Sequence, residues 1–351
     1  MRKKLHNAGH MGGFSHQQQQ LSDAWSQRLH PRTIHVNQAT NSVGYTVSLA
    51  IPGSILRNAV TRELKTYIVG QIARAVVIHE VDEVVIFVDS AAEAAAPDPD
   101  RTPSVFFCRL LQYLECPSYL RRDLFPHHND LSNVGLLPSL DTPHHMRQLD
   151  VSLYREGVVV DKPSAEGCFV NVGLSCEAFL DKPLRPGVRV TVKLDDPEAS
   201  VRDKCAASGS AVKPTQPREL YGLYWGYQTR LAKSLSEVFA ACPYPGGYDY
   251  LIGNSDKGAR LEDCPAAVKG GLRHLLVVFG GLGGIEASVE ADETLTTKGR
   301  DADTLFDQWL DLCPSGGSKQ VRPEEAVLVG LAKLRPLILA AAARAEGKGK
   351  G

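Results

Sequence analysis

The sequence predicts an α/β fold in which a parallel sheet is interrupted by a small inserted β-barrel. Two observations carry that prediction. A strand–helix–strand pattern over residues 43–88 has the length of a βαβ unit, which implies parallel strands. From about residue 151 the texture turns all-β, and beyond 219 it returns to alternating strands and helices. The organisation expected is therefore a polar tail (1–32), the first half of the α/β domain (33–140), the barrel with its flanking loops (141–218), the second half (219–345) and a short tail (346–351).

The elements follow in order. Residues 43–51 alternate strictly, with Val43, Tyr45, Val47, Leu49 and Ile51 on one face, and Pro52-Gly53 ends the strand. Over 61–80 the period changes: Leu64, Ile68, Ile72, Ala75, Val76 and His79 fall at helical spacing. The run 84–88 is continuously apolar, as in a strand covered on both faces. A linker over 91–103 leads to helical spacing at 104–115 and 117–123, and 125–145 is irregular with Pro126, Pro138 and Pro143 as breakers. Short β-rich runs at 158–160, 168–172, 178–180 and 188–194, separated by proline and glycine, suggest the barrel. Residues 195–217 read as a loose connection. Strands are expected at 220–227, 248–252, 275–279 and near the end of 306–313, with helices at 231–239 and 322–343.

Composition limits the function classes. Hydrophobic residues are 43% and charged residues 23%, ordinary for a globular protein. No uninterrupted apolar run reaches the roughly 18 residues of a membrane span. The first 20 residues are polar, so neither a membrane segment nor a secretory leader is expected, and an intracellular setting is. None of the eight cysteines forms a C-x-x-C pair, which argues against a zinc ribbon and suits a reducing compartment. Net charge is −1, so any nucleic-acid surface must be local. Two basic runs qualify, one holding Arg57, Arg62, Lys65 and Arg74, the other Lys182, Arg185, Arg189 and Lys193 with no intervening acid. The latter is expected to hold RNA phosphates; the bland alternative is a solvated face.

Three glycine-bearing loops each follow an apolar strand: 253–258 (GNSDKG), 280–286 (GGLGGIE) and 313–322 (CPSGGSKQVR). Ligands bind open α/β sheets outside the carboxyl ends of the strands, so the three could form one pocket. Dinucleotide binding is disfavoured. The spacing is not G-x-G-x-x-G, and Glu286, Glu290, Asp292 and Glu293 would oppose a pyrophosphate. No P-loop motif is present. A sulfonium cation fits an acidic surround better, which makes S-adenosyl-L-methionine the candidate; a set of tight turns is the structural alternative.

The run from Leu312 to Ala326 (LCPSGGSKQVRPEEA) resembles the knot loop of a SPOUT methyltransferase subfamily of archaea and eukaryotes, whose form is roughly NTCPGQGSRTIRTEEA. Segments 64–78, 135–146, 155–160, 223–227 and 274–286 resemble the same family. The resemblance spans about 33–339. It implies a SPOUT trefoil-knot domain, one of the rare exceptions to unknotted folds, interrupted by a barrel like an oligonucleotide-binding (OB) fold. It also implies S-adenosyl-L-methionine as cofactor, RNA methylation (ribosomal RNA, with uridine N3 as the family-level guess) and a homodimer with Ile68, Ile72 or the apolar face of 327–339 at its interface. The family includes a spindle- and centrosome-associated member. Nucleus, nucleolus, cytoplasm or spindle are thus the expected locations, and spindle or centrosome proteins further partners.

Carried over residue by residue, Gly253, Lys257 and Gly258 match the first cofactor loop, with Lys257 in place of the family's Arg. Phe279, Gly280, Gly281 and Gly284 match the second. Asp311, Leu312, Cys313, Gly317 and Ser318 match the third, with Asp311-Leu312 in place of Asn-Thr. For catalysis, Arg74 is the first candidate to orient or activate the target, its alternative being an ion pair with Glu83; Arg57 and Glu325 follow. His127-His128 and His144-His145 are not read as metal ligands, because adjacent histidines seldom point to one centre; the second pair is expected near the active face. Two functions remain open: an active RNA methyltransferase, or a catalytically weak SPOUT-fold RNA- or protein-binding factor in ribosome or spindle assembly.

Overall fold

The computed structural model describes residues 43–164, 166–202, 207–264, 271–314, 316–318 and 320–348. The expected tail over 1–32 lies outside these residues, and the last helix runs through 346–348.

Strand β1 (Thr46–Pro52) leads to α1 (Arg62–Ile78), which starts where the Thr61 hydroxyl accepts the Leu64 N–H. Strand β2 (Glu83–Phe87) and α2 (Pro103–Glu115) follow, α2 being capped by Thr102 with Pro103 in its first turn. The barrel comprises β3 (Tyr154–Val159), β4 (Cys168–Asn171), β5 (Ala178–Leu180), β6 (Arg189–Leu194) and β7 (Ala207–Val212). Then come α3 (Gln216–Tyr221), β8 (Gln228–Ala232), α4 (Leu235–Ala240), β9 (Tyr250–Arg260), β10 (His274–Phe279), α5 (Gly284–Glu290), β11 (Gln308–Asp311) and α6 (Pro323–Lys348).

The six-stranded sheet has the order β11-β9-β10-β1-β2-β8, and every neighbouring pair is parallel. Strands from before and after the barrel interleave, since β1 pairs with β10 on one side and β2 on the other. Alternate residues feed two layers. Leu49, Val84 and Val277 face α1, α2 and α6, whereas Ala50, Val85 and Val278 face α4 and α5. Helix α6 is long and apolar enough over Pro323–Ala343 to cross a membrane, but its Val327, Leu331, Leu334 and Ile338 are buried in the core.

The barrel is closed in the order β3-β4-β5-β7-β6, antiparallel except where β5 meets β7. Its closing strand β7 lies in the stretch expected to be a loose connection. The sequence there, ASGSAV, is built of small and polar residues and carries little hydrophobic period. The expected strand at 220–227 is absent. Those aromatics mimic strand periodicity, but they fill the joint between barrel and sheet. The Tyr224 hydroxyl donates to the Val81 carbonyl at 2.8 Å and that of Tyr227 to the Leu111 carbonyl at 2.9 Å. Leu231, expected in a helix, is in β8.

Candidate active site

All three glycine loops meet at the carboxyl ends of β9, β10 and β11, around a cavity of about 560 Å³. Its wall comes from Asn254 to Lys257, from Phe279 to Gly284, from Glu286, Asp311 and Cys313, and from Val321, Pro323 and Ala326 at the start of α6.

The first loop is a bulge within β9. Trp309 of β11 pairs with Gly253, yet the next residue, Leu310, pairs with Ala259, so 254–258 loop out. Gly253 precedes the bulge and Gly258 is its last residue, and neither lines the cavity. A Cβ on Gly253 would lie 2.5 Å from the Trp309 ring, and one on Gly258 would lie 2.4 Å from the Leu310 carbonyl carbon. Asn254, not singled out in the sequence, ties the first loop to the third by accepting the Leu312 N–H at 3.1 Å.

The second loop turns so tightly that a Cβ on Gly280 would lie 2.4 Å from the Gly284 carbonyl carbon, and Gly284 has φ +74°. Gly281 sits beside the carboxyl ends of β1 and β2, where Ser54 donates to Asp89 Oδ2 at 2.5 Å. In the third loop, Asp311 Oδ1 accepts the Cys313 N–H at 3.1 Å. The Leu312 side chain is fully buried in the core, so only its backbone faces the loops. Gly317 and Ser318 stand off the wall. No described atom lies within 4 Å of a Gly317 Cβ, and the Ser318 hydroxyl donates to the Gln320 carbonyl at 2.7 Å. A close-approach role for Gly317 therefore has no counterpart in its protein surroundings.

The three candidate catalytic residues are dispersed. Arg57, half exposed at the carboxyl end of β1, donates to Ser90 Oγ at 2.9 Å and lies 3.9 Å from Glu93. Arg74 donates to the Leu140 carbonyl at 2.6 Å and does not line the cavity. Nor does it pair with Glu83, which instead binds Arg230 at 2.9 Å. Glu325 accepts the Arg322 N–H at 3.0 Å, which makes it a helix cap for α6.

The basic barrel run divides. Lys182 and Arg185 are exposed, with no ion-pair partner among the described residues, and Lys193 is half-buried. Arg189 is a structural cation. Its guanidinium grips Glu115 through two bonds of 2.6 and 2.9 Å and Glu156 through a third of 2.7 Å. Glu156 also receives the Thr191 hydroxyl at 2.5 Å and the Trp225 indole N–H at 2.6 Å. His144, expected near the active face, is fully buried here, 3.0 Å from Glu115. His145 Nε2 lies 2.6 Å from the Glu115 carbonyl oxygen. Burial pushes the Glu115 carboxyl up, but the Arg189 charge and the bonds from His144 and Arg189 outweigh it and hold it at about 2. Burial and the neighbouring His144 push His145 down to about 3.

Comparison with known proteins shows the family. A family model described as "Putative RNA methyltransferase" matches residues 46–334. The human protein named 28S rRNA (uridine-N(3))-methyltransferase is 44% identical over 337 residues, covering 93% of this chain and 88% of that protein. Its namesake in Mus musculus is 46% identical over 302 residues, covering 83% and 76%. That of Drosophila melanogaster is 44% identical over 305 residues, covering 83% and 62%. Among solved structures, a SpoU methyltransferase from Streptomyces viridochromogenes in complex with AdoMet overlaps with TM-score 0.30 at 10% identity, over 88% of this chain and 63% of that one, too distant a likeness to inform the site. With the family model spanning every strand of the sheet and of the barrel, the chain belongs to this RNA methyltransferase family.

Proposed function

We propose that this chain transfers a methyl group from S-adenosyl-L-methionine to N3 of a uridine in large-subunit ribosomal RNA. The observation that carries the reading is the convergence of three sequence-distant glycine loops on one cavity, in a chain this similar to proteins named for that reaction. The cavity suits the cofactor. Its size is in the range of small-molecule sites, its glycines allow backbone approach, Phe279, Val321 and Ala326 offer apolar surface, and Asp256, Glu286 and Asp311 favour a cation. When bound, the cofactor supplies the electrophilic methyl group. The departure to Asp311-Leu312 is compatible with binding, because Leu312 presents only backbone and Asp311 orders the loop through Cys313.

Arg57 is the preferred residue for orienting the target, since it follows β1 and is bonded to Ser90, next in sequence to the Asp89 that Gly281 approaches. The barrel, whose five strands and closure match an OB-like module, would hold RNA phosphates through Lys182, Arg185 and Lys193. A homodimer is part of the reading. Ile72 and Val327 are buried within the monomer, so the interface would use exposed neighbours instead: Leu64 and Tyr67 on α1, and Leu328 and Val329 on α6. The trefoil knot implied by the family and an intracellular site of action belong to the same proposal.

The test is transfer of a labelled methyl group from S-adenosyl-L-methionine into deproteinised RNA. Label should enter large-subunit rRNA and not transfer RNA. Failure to label any RNA, with the cofactor bound, would favour the assembly-factor alternative.

A further inference from the structure

Glu286 occupies an unusual place on the cavity wall. It lies in the first turn of α5, between the first and second loops, with its side chain only 15% exposed. Its Oε1 accepts the Ser255 hydroxyl at 3.1 Å and faces Lys257 Nζ at 3.0 Å. Lys257 is the reverse, 72% exposed and reaching in from solvent. The charged groups on the described wall are three acids, Asp256, Glu286 and Asp311, and one base, Lys257. Asp311 is engaged by its own loop through the Cys313 N–H. That leaves Glu286 as the carboxylate on which a cation already rests. The lysine's ammonium is held towards its charged form by the Glu286 bond. A pair with one partner so exposed is weak and exchanges readily.

We propose that Glu286 reads the positive charge of the cofactor, and that Lys257 is a tethered stand-in which the cofactor's cation displaces. The inference rests on the methyltransferase reading above. S-adenosyl-L-methionine carries two cations, a sulfonium and an α-ammonium. Transfer of its methyl group leaves the C–S bond pair on sulfur, and the N3 proton of the uridine departs to solvent, so the product S-adenosyl-L-homocysteine keeps only the ammonium. If Glu286 reads the sulfonium, turnover itself removes its partner, Lys257 returns, and product leaves.

Calorimetric titration of the full-length protein with S-adenosyl-L-methionine, S-adenosyl-L-homocysteine and 5′-methylthioadenosine, which has neither cation, tests this. Wild-type protein should bind all three; binding of none would overturn the cofactor reading and this inference with it. Glu286→Gln keeps the size of the side chain and a group able to bond Ser255. It should weaken S-adenosyl-L-methionine by roughly tenfold or more, the scale of one charge-assisted hydrogen bond. Affinity for 5′-methylthioadenosine should hold, which also shows that the variant is folded. Unchanged S-adenosyl-L-homocysteine affinity would identify the sulfonium as the group read, and a parallel loss the ammonium. Equal weakening of all three ligands, or no weakening of S-adenosyl-L-methionine, would overturn the proposal. Lys257→Ala should tighten S-adenosyl-L-methionine; weaker binding would contradict the stand-in role.

Discussion

At the carboxyl ends of the parallel strands, three loops enclose a cavity with glycines, backbone amides and a weak, half-solvated ion pair between Lys257 and Glu286. At the amino ends, where the barrel meets the sheet, Glu115, Glu156, Arg189, His144 and Trp225 form a closely bonded network, and all but His144 line a second cavity of about 580 Å³. In the first region the charges make few bonds to the rest of the fold, so a change of charge there should alter binding more than stability. The second holds two folding units together, and each of its charges depends on the others. Charge in a sequence therefore does not announce its use: Arg185 and Arg189 belong to one basic run, but one is exposed and the other anchors the barrel.

The largest effect should come from breaking the second region. Arg189→Ala leaves Glu115 and Glu156 buried without their cation and should cost about 3–5 kcal/mol, read from the urea midpoint. A loss below about 1 kcal/mol would mean that the network contributes little. In the first region, Gly281→Val puts a branched side chain on the cavity wall, where its Cβ would meet the Ser54 hydroxyl and Asp89 carboxylate rather than backbone. It should abolish cofactor binding in calorimetry and leave the urea midpoint nearly unchanged.

Acid should separate the regions without mutation. Glu115 titrates at about 2 in the folded chain against an ordinary 4.5, so its contribution is complete above about pH 4.5 and is lost as pH falls towards 2. The loss should be on the order of a few kcal/mol. Near-ultraviolet circular dichroism of the aromatics at the joint, Trp225 among them, should follow it, and Arg189→Ala should remove that acid transition.

Much of this contrast was legible in the sequence, but not all. Glycine-bearing loops after apolar strands marked the cavity and all three converge on it, although only the glycines of the second loop line it. The pairing of Arg189 was not legible. Its partners Glu115 and Glu156 lie 74 and 33 residues away, and nothing local distinguishes it from Arg185. The strand β7 was hidden because ASGSAV has almost no apolar period, and 220–227 misled because its aromatics pack a joint rather than a sheet. Gly317 shows the converse limit. The motif marks it, yet no described atom lies within 4 Å of a Cβ built on it.

Smaller effects sharpen these distinctions. Lys182→Glu with Arg185→Glu should weaken RNA binding several-fold and flatten its salt dependence, with the urea midpoint unmoved, since neither residue has a described ion-pair partner. Gly317→Val should change stability by less than about 0.5 kcal/mol, in keeping with its exposed surroundings.

The most direct test of the account is nucleoside analysis by mass spectrometry of large-subunit rRNA, incubated with S-adenosyl-L-methionine and either the wild-type protein or Gly281→Val. The account predicts that 3-methyluridine appears with wild-type protein and not with the folded variant. Absence of 3-methyluridine with wild-type protein, or equal amounts with both, would contradict it.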